Sequence, residues 1–148
     1  MNWIVMPRPS LLRVALMLGV LVVLGGCSKP VKLVPAAGVL TIGGKPAGGI
    51  VIQFLPQAVE GEKRPTSYAT SGDDGSFALT TYDGKPGAVE GPHAVVLADT
   101  LEERPAQGQR ATRPPRLDSR FTTIAGGLTA TVTDGGGAIT IAVPAPAP

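Results

Sequence analysis

Gly38-Val39-Leu40-Thr41-Ile42-Gly43-Gly44-Lys45-Pro46-Ala47-Gly48-Gly49-Ile50-Val51-Ile52-Gln53-Phe54-Leu55-Pro56 is the stretch whose reading decides the fold. Residues 39–42 are aliphatic or β-branched and read as a strand. Gly43-Gly44 makes a two-residue loop that tolerates φ > 0 at both positions, as a type I′ hairpin turn requires. Residues 45–49 are an irregular return, and Pro46 cannot donate to a ladder, so this piece is predicted to be an edge or a bulge. Residues 50–55 form the next strand. Ile50, Ile52 and Phe54 share one of its faces by the two-residue period, and that face is assigned to the core.

The same pattern continues outward. Residues 66–71 read as a strand with Tyr68 and Thr70 on one face, and Gly72-Asp73-Asp74-Gly75 as a tight turn. Residues 76–81 follow, with Phe77 and Leu79 inward, and residues 93–98 place His93, Val95 and Leu97 on one face. Residues 121–124 read as a short strand, and 128–133 with 138–143 as a closing hairpin across Asp134-Gly135-Gly136-Gly137. The chain holds 20 glycines and 15 prolines, and the glycines cluster between short apolar runs, which is the pattern of turns between strands. No stretch after Leu24 keeps a helical period. The expectation is an all-β domain over residues 37–143, an Ig-like β-sandwich of about seven short strands. Residues 144–148 alternate Pro and Ala as a polyproline-like tail.

The start of the chain carries an address. Arg8 and Arg13 precede and enter an apolar run of about 14 residues ending at Leu24, short of the ~20 that a spanning helix needs. A basic start, a short apolar core and small residues before a cut describe a secretory signal. Here Leu24-Gly25-Gly26 leads into Cys27, the one cysteine of the chain, whose thiol can carry a diacylglycerol. Two or more acyl chains anchor stably, at roughly 0.8 kcal/mol per buried CH₂. The reading is a lipoprotein signal peptide over 1–26, lipidation at Cys27 and a lipidated tether over 27–36. The expected location is the bacterial cell envelope, at the outer membrane or the periplasmic face of the inner one.

Charge excludes one class of partner. Loss of Arg8 and Arg13 with the signal takes the 13 basic side chains down to 11, equal to the 11 acidic ones. A neutral mature chain carries no general nucleic-acid footprint. With Cys27 used for lipid, no disulfide forms within the chain, so stability rests on a packed core.

Candidate chemistry is sparse. His93 is the only histidine. A catalytic triad also needs a nucleophile and an orienting carboxylate, and a zinc site needs more His or Cys ligands. His93 therefore reads as a packed ring at the start of a core strand. Asp73, Asp74 and Asp83 lie near turns and lack the spaced oxygen ligands that calcium takes. The glycine runs feed no helix and read as hairpin turns rather than phosphate cradles. Nothing in the residues calls for a cofactor. Residues 99–120 are the longest irregular segment, with Arg104, Arg110, Arg113, Arg116 and Arg120 among Glu102, Glu103 and Asp118. A mixed-sign run is usually a solvated face. Its functional reading assigns Arg110, Arg113 and Arg116 to contact with an anionic envelope component or protein partner, because guanidinium groups bind carboxylate and phosphate bidentately. As exposed charges, the three are expected to contribute under ~0.5 kcal/mol to folding.

Residues 38–46, then 49–56, then Thr70-Ser71-Gly72-Asp73-Asp74-Gly75-Ser76-Phe77-Ala78-Leu79-Thr80-Thr81 resemble a known group. It is the small, planctomycete-type bacterial lipoproteins with a carboxypeptidase-regulatory-like, transthyretin-like domain. Gly91-Pro92-His93 resembles that group's Gly-x-aromatic strand opening, with His93 where tyrosine is common, and residues 128–132 resemble its penultimate strand. The resemblance implies a transthyretin-like β-sandwich that serves as an accessory or binding module, and it transfers no catalytic residue. The functional expectation is a lipid-anchored, non-catalytic module of the cell envelope. A carbohydrate-binding module, using Tyr68, Tyr82 and the three phenylalanines as stacking platforms, and an envelope hydrolase are the alternatives.

Overall fold

The computed structural model describes residues 31–102, 107–108 and 112–147. Its strands in chain order are β1 (Leu33–Val34), β2 (Ala37–Ile42), β3 (Lys45–Pro46), β4 (Ile50–Pro56), β5 (Ser67–Thr70), β6 (Ser76–Ala78), β7 (Thr80–Thr81), β8 (Ala88–Val89), β9 (Gly91–Asp99), β10 (Thr129–Val132) and β11 (Ile139–Val143). Among the described residues there is no α-helix; two 3-10 turns, Ser119–Thr122 and Ile124–Gly126, bridge β9 and β10. The five-stranded sheet runs β10-β9-β4-β5-β7, antiparallel throughout. A second sheet runs β11-β2-β3, with β6 also paired to β2. A two-stranded ribbon joins β1 to β8.

The opening stretch folds as read. Gly43 (φ 59°) and Gly44 (φ 79°) both take positive φ, and β2 returns into β3 with Ile42 opposite Lys45. Positive φ at both loop positions is what matches the turn to the right-handed twist of its strands. Ile50, Ile52 and Phe54 are wholly buried, and Val51, Gln53 and Leu55 alternate outward. Phe77, Leu79, His93, Val95 and Leu97 are buried as expected. Side chains of both large sheets meet in one apolar cluster: Leu40, Phe77, Ile141 and Val143 from one, Ile52, Phe54, Leu97 and Val132 from the other. Each large side chain so enclosed stabilises the fold by about 1.5–3 kcal/mol relative to exposure.

Four expectations are corrected. The strand read over 76–81 is two strands in two sheets, since β6 pairs with β2 while β7 pairs with β5. Leu79 between them is buried, and its N–H bonds Ala36 O at 2.8 Å, so the chain turns a corner there. The closing hairpin is not formed. β10 joins β9 antiparallel, whereas β11 lies parallel to β2 in the other sheet. Gly135 (φ 106°) and Gly136 (φ 70°) carry the chain across the edge of the core between them. The strand read at 121–124 is 3-10 structure, capped by the Asp118 carboxylate accepting from Arg120 N–H, with Phe121 pressed into the core. Finally, the end of the tether is folded: Leu33 and Val34 pair with Val89 and Ala88, and Val34 and Ala36 are buried. These splits and short additions turn about seven strands into eleven among the described residues.

Candidate functional site

The five-stranded sheet turns its second face away from the core. There the register sets four side chains in a row across four strands: Thr80 beside Tyr68, Tyr68 beside Gln53, Gln53 beside Val96. Flanking rows hold Thr70, Val51 and Ala98 on one side, Leu55, Ala94 and Thr129 on the other. Tyr82 is the first residue beyond β7, inside the turn that Gly84 N–H closes onto Thr81 O. Its ring lies against Tyr68, with centroids 4.8 Å apart and planes 30° from parallel. Tyr82 is 68% exposed and Tyr68 36%. Phe54, Phe77 and Phe121 are all buried. Of the five aromatics proposed as stacking platforms, only the two tyrosines reach solvent, and they reach it together.

Beyond Gln53 and Val96 the face opens into a depression of about 430 Å³, bordered also by Ala98, Asp99, Glu102 and Thr122. Its rim is held by an arginine. Arg116 Nε donates to Asp99 Oδ2 at 2.8 Å and Nη2 to Oδ1 at 2.5 Å. Both terminal nitrogens also reach Gly48 O at 3.2 Å. The Asp99 side chain is 3% exposed and that of Arg116 37%. Burial by itself would raise the Asp99 carboxyl; the Arg116 bonds, the Leu101 N–H and the Arg116 charge outweigh it and hold the group below the ordinary carboxylate range. One side chain thus fastens the returning limb of the long segment to the end of β9 and to the β3–β4 connection.

That finding corrects the expectation of negligible stability effects from all three arginines, because the Arg116 donors are engaged inside the fold. Arg113 is exposed beside Pro114 and Pro115. Arg110 and Cys27 lie outside the described residues. His93 sits in the core, 2% exposed, its ring 5.5 Å from that of Phe54. Nδ1–H donates to Gly91 O at 2.9 Å, which leaves Nε2 as the lone-pair nitrogen, enclosed and without a partner. Burial pushes this imidazole below its ordinary value, aided by the Arg64 charge and opposed by the Gly91 bond. Asp74 closes its turn by accepting from Ser76 N–H and Oγ, and Asp83 pairs with Lys85 in a different turn. Among the described residues no three His, Cys, Asp or Glu gather as a metal-binding group.

Compared with models of protein families, with curated proteins and with solved structures, the chain matches none.

Sequence reasoning named Tyr68 and Tyr82 but not their contact, and it passed over Gln53 and Asp99. Parity was the available signal for Tyr68, which alternates with buried Ser67 and Ala69; Tyr82 follows buried Thr81 in a turn, where no parity applies. Tyr68 is therefore an outward residue of β5, while Tyr82 stands in the turn just after β7, and only the fold supplies the β5–β7 pairing that joins them.

Proposed function

We propose that the protein is a lipid-anchored, non-catalytic binding module of the bacterial cell envelope, a β-sandwich of Ig-like, transthyretin-like kind. The observation that carries this reading is Leu24-Gly25-Gly26-Cys27 behind a short apolar run. The first strand begins at Leu33, so the link from a lipidated Cys27 spans at most about 20 Å at ~3.3–3.6 Å per residue. Such a link holds the domain against the membrane surface, whether that of the outer membrane or the periplasmic face of the inner one. The motif resemblance to planctomycete-type lipoproteins supports the same assignment. A role in binding rather than catalysis is supported by the enclosure of His93, whose free nitrogen has no access to a substrate. Arg113, with Arg110, remains the proposed contact for an anionic envelope partner.

Two measurements test the proposal. Cells fed a clickable fatty acid are expected to label the wild-type chain and not Cys27→Ser; equal labelling of both would sink the anchor. The mature chain 27–148, expressed without its signal and carrying Cys27→Ser, is expected to co-sediment with isolated envelope. Failure to do so at any salt concentration would remove the binding role.

A further inference from the structure

The solvent face of the five-stranded sheet combines three properties. The first is its aromatic ledge. The chain has only two tyrosines and three phenylalanines besides Trp3, and the folded domain spends every phenylalanine on its core. Both tyrosines stand outside it, stacked on one another, with Tyr82 more than half exposed. A tyrosine ring presents a broad apolar face and a polar tip, which suits a surface that must be wet when free and dry when occupied.

The second property is neutrality. Thr80, Tyr68, Gln53 and Val96, and the flanking Thr70 and Thr129, carry no charge. The charges at the far end of the face are the mutually paired Asp99 and Arg116 and the exposed Glu102, so the face attracts no polyanion and offers a polycation one carboxylate. It offers hydroxyls and a carboxamide that both donate and accept. The third is shape. The ledge continues through Gln53 into the depression beside Val96, so the surface is an extended strip rather than a closed pocket.

A pyranose ring matches these features. One of its faces is lined with C–H groups and stacks on an aromatic ring, while its periphery is hydroxyl and needs neutral donors and acceptors. A chain of such rings needs a strip. An acidic peptide or a phosphate polymer would leave its charge unpaired here, and a basic peptide would find only the Glu102 carboxylate at one end. We propose that this face binds a neutral polysaccharide, with one sugar ring laid on Tyr82 and Tyr68 and its neighbour hydrogen-bonded to the Gln53 carboxamide. The inference rests on the binding-module reading and names the ligand class for it.

The mature chain 27–148, expressed without residues 1–26 and carrying Cys27→Ser, provides its own reporter. Trp3 precedes Cys27, so tyrosine emission comes from Tyr68 and Tyr82 alone. Native gels cast with hydroxyethyl cellulose, glucomannan or amylopectin are expected to retard the protein with at least one polymer, and alginate, a polyanion, is not. Oligosaccharides of the retarding polymer are expected to change tyrosine emission saturably. Tyr82→Ala and Gln53→Ala are each expected to weaken binding by about ten-fold or more, as removal of a central contact does, with unchanged melting temperature. Absence of retardation by all three neutral polymers overturns the inference, as does wild-type affinity in both variants. A concentration-dependent dimer abolished by Tyr82→Ala also overturns it, by assigning the face to a second copy. If the wild type still sediments with envelope while no neutral polymer binds, the glycan assignment falls and the binding module stands; loss of both removes both.

Discussion

Replacing Arg116 by alanine tests how the long segment is held. The wild-type guanidinium makes two charge-assisted bonds to Asp99 and shares Gly48 O. Bonds to charged groups contribute about 1.5–3 kcal/mol, and breaking a fully buried pair from one side costs about 3–5. Arg116 is 37% exposed, so water screens part of its interaction. The Asp99 carboxylate, at 3% exposure, would keep only the Leu101 N–H. These opposing considerations put the loss at ~2 kcal/mol, or about 8 °C in melting temperature for a domain of this size. The pH dependence provides a second, independent reading. In the wild type the Asp99 carboxyl lies below its unfolded value of about 3.9. Its contribution is therefore present above pH ~4 and lost as pH falls through the folded value. In Arg116→Ala, burial acts on the carboxyl without the arginine and pushes it up, so the variant gains relative stability as pH drops toward 4. The gap between the two proteins is expected to narrow from pH 7 to pH 4 in thermal melts followed by circular dichroism. A difference under about 2 °C at pH 7, or no coupling in the Asp99→Ala/Arg116→Ala double-mutant cycle, would refute the reasoning.

Phe54→Ala empties the centre of the core, where the ring packs on Phe77 and His93, and is expected to cost ~3–5 kcal/mol. Loss of the cooperative melt checks it; a wild-type melt would move the core elsewhere. For His93 the folded imidazole lies below its unfolded value of about 6.5, so stability is full above that pH and declines beneath it. His93→Phe is expected to abolish the fall in urea midpoint between pH 7.5 and pH 5, and an equal fall in both proteins would exonerate the histidine. Gly38→Ala places a Cβ 1.9 Å from Ile139 O and 2.8 Å from the Phe77 ring. Accelerated amide exchange across β11 is the expected signature, and unchanged protection there would contradict the parallel β2–β11 pairing.

Much of the architecture was legible because alternation is a local property. The parity of Ile50, Ile52 and Phe54, of Phe77 and Leu79, and of His93, Val95 and Leu97 marks an inward face whatever strand lies next to it. Gly43-Gly44 announces its turn because the backbone angles it needs are excluded for most other residues. Partners are a different matter. Residues 129–132 and 139–143 have the inward pattern of a hairpin, yet backbone hydrogen bonding carries no side-chain signature, and the tertiary fold sends them to different sheets. The same limit hid the site. That Tyr68 is outward could be read from parity, but Tyr82 lies in a turn, their stacking needs β5 beside β7, and the row through Gln53 needs β4 beside both β5 and β9. Arg116 looked like one solvated charge among several because its meaning lies in Asp99, seventeen residues away, and Gly48, sixty-eight away. Which residues face inward was determined by the sequence alone, through the two-residue period. Which residues meet was decided only by the tertiary structure, because contacts between distant segments depend on strand order.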